Sequence, residues 1–258
     1  MEIYLPTEHA YALTPQFDLD TAHARIEQKK MNLVAGMVGA LLSRPKPEEL
    51  QLISTENRLE PFWLVAASSR TVYDRAATYT VTTGWKEVRS VTLLGQDLTV
   101  VPQPKGDPAF KLTAIEHCVQ ELSIKLTFDG VTGAKVDFQK YANFAKNEVS
   151  DVSVFNPEGV LLIPPQVRAT AVVRQITTEV VRPVKNAQAV HEERVDIETV
   201  DLNFRPVYAF EYEWTGKNKR VVLEFDALTG DIHAGGRKLR DQIKNILLPA
   251  MEKKEPDS

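Results

Sequence analysis

Four carboxylates near the carboxyl-terminal end, Glu211, Glu213, Glu224 and Asp226, are the side chains best placed to do chemistry. Residues two apart on a strand share a face, so each pair projects together from one of two neighbouring strands. Convergent carboxylates offer hard oxygen ligands to a divalent cation, or split their pKa values for acid–base work. The competing expectation, which the sequence favours, is a wet acidic face balanced by Lys217, Lys219 and Arg220. Trp214 stands beside the Thr215–Lys219 turn. It suits either a ligand on that face or, with Lys217, Lys219 and Arg220, the surface of a protein partner.

The other reactive residue types do not assemble. His23 and Glu27 are four apart, as are His117 and Glu121, but neither pair has a third ligand, whereas zinc takes three or four. His191-Glu192-Glu193 lacks the spacing of a His-Glu-x-x-His metalloprotease. Cys118 follows His117 on an expected helix, where neighbours point apart, so it reads as a small buried hydrophobe. The nearest thing to a phosphate site is Gly235-Gly236-Arg237 ahead of an expected helix. No catalytic residue, metal site or cofactor is assigned.

The elements that must position these residues follow from periodicity. Asp18 or Asp20 caps an expected helix running to about Leu42, with Ile26, Leu33, Val34, Met37, Val38, Leu41 and Leu42 inward; Ser43-Arg44-Pro45 stops it. Extended runs follow at 49–58, 62–66, 71–83, 85–94 and 98–101. The Pro- and Gly-rich stretch Pro102–Pro108 marks a boundary. Thr113–Phe128 reads as a helix with Ile115, Cys118, Val119, Leu122 and Leu126 in one stripe, and 141–149 as a short helix. Pro164-Pro165 opens a second long helix, with Ala169, Val172, Val173, Ile176 and Val180 inward, that ends at Arg182-Pro183. Phe204–Ile232 then reads as two alternating strands closed by an Asp-x-x-Thr-Gly turn. Tyr208, Phe210, Tyr212, Val221, Leu223 and Phe225 face a helix. Asp226 caps its own turn, and Gly230 supplies a positive φ. A terminal helix over 237–248 precedes a charged tail.

Both halves show a helix, an Arg-Pro stop and an extended approach to a Pro-led aromatic strand. Leu59–Val65 matches Phe204–Phe210, although nothing after Tyr73 answers to Glu224, Asp226, Thr229 and Gly230. The expectation is an α+β protein of two related helix-plus-antiparallel-sheet units, an internal duplication: 1–101, an intervening segment 102–158, 159–248, and a flexible tail 249–258.

On Tyr208, Phe210, Tyr212, Val221, Leu223, Phe225, Asp226, Thr229, Gly230 and Ile232, the stretch from about 165 to 232 resembles the PepSY-like family of small α+β modules. The resemblance implies a helix packed on a curved antiparallel sheet, and a regulatory, inhibitory or interaction role with no fixed catalytic residue. Many members of that family are exported, and the start MEIYLPTEHAYAL, lacking a basic region and an unbroken apolar run, departs from that habit.

Composition narrows the classes further. The chain has 258 residues, 43% apolar and 26% charged, with a net charge of −4 and dispersed basic residues, which argues against nucleic acid as a partner. One cysteine precludes an intrachain disulfide and points to a reducing, cytoplasmic setting. The most apolar windows, Leu33–Leu42 and Val160–Pro165, are too short to insert in a membrane. The functional expectation is a non-catalytic accessory or structural protein with a protein partner, itself included as a homo-oligomer. The alternative is a small-ligand binder or enzyme using the acidic face between the halves.

Overall fold

The computed structural model describes residues 2–37 and 45–236, apart from the side chains of Gly36 and Met37. In chain order the elements are β1 (Glu2–Tyr4), β2 (His9–Leu13), α1 (Leu19–Met37), β3 (Leu50–Thr82), β4 (Ser90–Leu93), β5 (Gln96–Thr99), β6 (Ala109–Asp129) and β7 (Lys135–Val136). There follow β8 (Lys146–Glu148), β9 (Leu161–Leu162), α2 (Ala169–Val180), β10 (Ala187–Trp214), β11 (Lys219–Asp226) and β12 (Ile232–Ala234). The fold is α+β with strands dominating. The main sheet runs β12-β11-β10-β3-β6-β7; β1 and β2 pair with β10, β8 with β2, and β9 with β3. Among the described residues no helix is long and apolar enough to cross a membrane.

The largest departure from the expected elements is β6, a single strand where the spacing predicts a helix. Cys118, Leu122 and Leu126 are four apart, an interval that fits both one helix face and one strand face. The decisive pattern is strict alternation. Lys111, Thr113, Ile115, His117, Val119, Glu121, Ser123 and Lys125 are exposed, and every intervening residue is half-buried. Non-local pairing with β3 settles which period is used. By contrast, the separate extended runs expected over 49–83 are one continuous strand, β3, and the stretch 141–149 holds a short 3-10 turn over Gln139–Asn143 followed by β8.

The chain divides into two compact units: Met1–Pro6, Ala66–Ile124 and Arg174–Glu198 form one, and Thr7–Val65, Lys125–Val173 and Thr199–Ser258 the other. In the first, the β4–β5 hairpin turns through Leu94 and Gly95, both at positive φ, as a two-residue hairpin loop requires. Parallel pairing ties β1 to Arg194–Asp196.

The second unit holds the main core. The Asp18 Oδ1 accepts the Thr21 amide at 2.8 Å and caps α1, as the spacing predicts. Ala22, Ile26 and Val34 of α1 are buried against Tyr208, Phe210, Tyr212, Trp214, Val221, Leu223 and Phe225. The aromatic face of the last strand pair does meet a helix. That helix is α1, from the opposite end of the chain, which packs on β11 and β12. A smaller core gathers Leu13, Phe62, Leu64, Tyr141 and Leu228. The expected helix end at 38–44, the terminal helix and the tail lie outside the described residues.

Two turns in this unit are built alike. In the first, the Asp226 Oδ1 accepts the amides of Leu228 and Thr229 at 2.9 and 3.1 Å, and Gly230 takes a φ of 77°. The second follows β6: the Asp129 Oδ1 accepts the amides of Val131 and Thr132 at 3.0 and 2.8 Å, and Gly133 has a φ of 73°. Both turns carry the same residue pattern, Asp226-x-x-Thr229-Gly230 and Asp129-x-x-Thr132-Gly133. Several bonds around the two turns correspond, although the Thr132 hydroxyl donates to Asp129 and that of Thr229 to Asp231. The Ala227 amide donates to the Pro206 carbonyl at 3.1 Å, and the Gly130 amide to that of Pro61 at 2.9 Å. The amides of Gln16 and Phe17, entering α1, donate to the Ala227 carbonyl; those of Gln166 and Val167, entering α2, donate to the Gly130 carbonyl. The Tyr208 hydroxyl donates to the Phe17 carbonyl at 3.0 Å, and the Trp63 indole to that of Val167 at 2.9 Å.

Candidate functional site

The carboxylates that the spacing singles out do not form a wet face. The β10–β11 register sets Ala209 opposite Glu224 and Val207 opposite Asp226, so these side chains alternate with the aromatic face as expected. Glu211, Glu224 and Asp226 are nonetheless buried, and Glu213 is half-buried opposite Arg220. What the spacing misses is two arginines, Arg58 from the far half of the chain and Arg205 from the start of the same strand pair. Arg58, with no exposed surface, reaches Glu56 at 2.8 Å and Glu224 at 3.1 Å through separate nitrogens. Arg205 reaches Glu60 at 2.8 Å and Asp226 at 3.2 Å. The Tyr141 hydroxyl donates to the Asp226 Oδ2, and the Ser54 hydroxyl to the Glu211 Oε2 at 3.4 Å.

Electrostatics explains why this array persists under cover. Burying one ion is worth several kcal/mol of lost hydration, roughly, and only multiple close counter-charges offset it. Each guanidinium spans two carboxylates, and the Asp226 carboxylate also accepts a phenol and two backbone amides. Burial works against the Arg205 charge, but Glu60, Tyr141 and Asp226 more than reverse it, and Arg205 holds its proton above the usual guanidinium range. Burial and then the bond to Asp226 push the Tyr141 phenol well above its ordinary value. These carboxylates are engaged in holding strands together.

Trp214 is the second correction. It is 1% exposed, and its indole donates to the Glu49 Oε2 at 3.0 Å, so it is a core residue under α1 rather than an open platform. Lys217 lies over its ring at 4.6 Å, while Lys219 and Arg220 are exposed on the same strand end. The structure thus brings Trp214 and Lys217 together and puts Trp214 on the face away from Glu224 and Asp226. A cleft of about 540 Å³ between Thr55–Asn57 and Asn156–Leu161, and another of about 310 Å³ beside Phe155 and Pro206, contain none of the four carboxylates.

Within the first unit, polar side chains form rungs across β10, β3 and β6. The two Asp74 oxygens meet His117 at 2.7 Å and His191 at 2.8 Å. Those two bonds, that from His117 first, hold the Asp74 carboxyl below the usual carboxylate range. Arg70 engages Glu121 and Glu192, and Arg75 engages Glu116 at 2.5 Å. The His117–Glu121 pair expected on a helix is replaced by these cross-strand partners. Among the described residues no group of histidine, cysteine, aspartate or glutamate is set to hold a metal.

The other feature of this unit is an open strand edge. β6 has β3 on one side; on the other, a bridge joins Val101 to Ala109, and β7 pairs only from Thr127. Among the described residues no strand pairs along 112–124, while Leu98, Thr99, Val101 and Gln103 stand near Phe110 and Lys111. Ile115 and Val119, on the exposed face, are 59% and 55% accessible. Sheet edges of this length are normally blunted, because unpaired amides and carbonyls template pairing with another chain. Comparison with family models, with characterised proteins and with solved structures finds no match to the chain.

Proposed function

We infer that this is a non-catalytic accessory protein that acts by adding a strand of another protein chain to its sheet. The observation that carries the reading is the edge of β6, along which no strand pairs among the described residues over 112–124, with Ile115 and Val119 beside it. Strand addition derives affinity from main-chain hydrogen bonds and specificity from alternate side chains, which is what an extended edge offers. The burial of Glu224 and Asp226 against Arg58, Arg205 and Tyr141, and of Glu211 beside Ser54, weighs against a ligand or substrate on the acidic face. The single cysteine fits a reducing, cytoplasmic setting. The test is affinity capture from the native host with the wild-type chain and with Val119→Lys. A partner lost with the variant supports the reading; capture unchanged by it, or a bound metabolite instead of a protein, overturns it.

We read the chain as an internal duplication in which each copy contributes a long strand (β3 or β10), its antiparallel neighbour (β6 or the shorter β11), an Asp-x-x-Thr-Gly turn and a short closing strand. The paired bonds at Pro61 and Pro206, Gly130 and Ala227, and Trp63 and Tyr208 support this. So does the sheet order, which reads as the same series outward from β10 and from β3. Helix α1 enters the turn of the second copy and α2 that of the first, so the copies are interlocked. The PepSY-like resemblance covers only the stretch from about 165 to 232.

A further inference from the structure

We propose that the strand added to β6 is β6 of a second copy of this chain, antiparallel, with His117 on the two-fold axis. This rests on the edge-pairing reading above and names its partner. In a symmetric antiparallel pair, residues on one face meet residues on the same face, so each possible centre gives a definite set of opposites. Centring on Glu116 sets that carboxylate against itself. Centring on Cys118 sets Ile115 against Glu121, and centring on Val119 sets Ile115 against Ser123. Only the centre at His117 places Ile115 opposite Val119 twice, covering both exposed apolar side chains of the edge.

The rest of that register agrees. Leu112 meets Leu122, and Phe110 meets Ile124 at the ends of the pairing. Lys111 meets Ser123 and lies diagonal to Glu121, within reach of a long side chain. Thr113 meets Glu121, and Glu116, already held by Arg75, meets Cys118. No lysine, arginine or acid faces its own kind. The two His117 rings meet at the centre, each bonded to its own Asp74. The paired length, 110–124, corresponds to about 50 Å of strand.

Sedimentation velocity on the full chain and oxidative cross-linking in a Cys118→Ser background test this. The expected result is a dimer that His117→Cys locks as a reducible cross-link while Val119→Cys does not. Val119→Lys is expected to weaken dimerisation about tenfold or more and to leave the far-ultraviolet circular dichroism unchanged. A monomer at all concentrations overturns the proposal, as does a dimer that Val119→Cys locks and His117→Cys does not. A monomer whose captured partner is still lost with Val119→Lys overturns self-pairing alone and leaves edge pairing standing.

Discussion

Arg58 decides more than any other single side chain. It has no exposed surface and stands between Glu56 and Glu224, with Glu60 3.9 Å away. Removing it leaves buried carboxylates facing one another, and uncompensated buried charge is the most destabilising defect a polar substitution makes. Arg58→Met is therefore expected to lower unfolding free energy by about 3–5 kcal/mol, read from urea denaturation. Because part of the loss comes from the broken Arg58–Glu224 pair, the double variant Arg58→Met/Glu224→Met is expected to recover part of it. A double variant as unstable as the sum of both single ones would show that Arg58 acts through packing alone.

At the scale of elements, the two Asp-x-x-Thr-Gly turns act as sockets for helix entry. Each offers one carbonyl, Gly130 or Ala227, to two successive amides. The sockets differ in clearance. A Cβ added to Gly130 would stand 2.7 Å from the Pro61 Cβ and 2.8 Å from its carbonyl, where backbone cannot give way cheaply. Gly130→Ala is expected to destabilise by about 1–3 kcal/mol, the usual range for overpacking, measured as a lowered denaturation midpoint. An unchanged midpoint would mean that the Pro61 backbone shifts freely and that the socket is not tightly held.

At the scale of the whole molecule, the order of elements along the chain and their grouping in space disagree. α1 lies at the amino-terminal end yet covers the strands β10, β11 and β12, while α2 enters at Gly130 beside β6. The buried face of α1 is covered by strands from the other half of the chain. Fragments 1–158 and 159–258 are each expected to lack native near-ultraviolet circular dichroism and to regain it on mixing. A half that folds alone would show the interlocking to be dispensable.

What the sequence by itself determined is whatever depends on near neighbours. The Asp18 cap, the Asp226 turn with Gly230 at positive φ, the buried stripe of α2 and the aromatic alternation of Tyr208, Phe210 and Tyr212 were all legible. Each is set by a few consecutive residues and one period. The repeated turn at Asp129 was equally legible as Phe-Asp-x-x-Thr-Gly and is found by matching the turns rather than the prolines. Only the tertiary structure decided that β6 is a strand, because residues four apart satisfy both periods until β3 supplies hydrogen-bond partners. It alone decided that Glu224 and Asp226 are buried and Trp214 is covered. Arg58 and Glu49 are remote in the chain and Arg205 comes from the facing strand, and the free energy of a charge depends on what surrounds it, not on what precedes it.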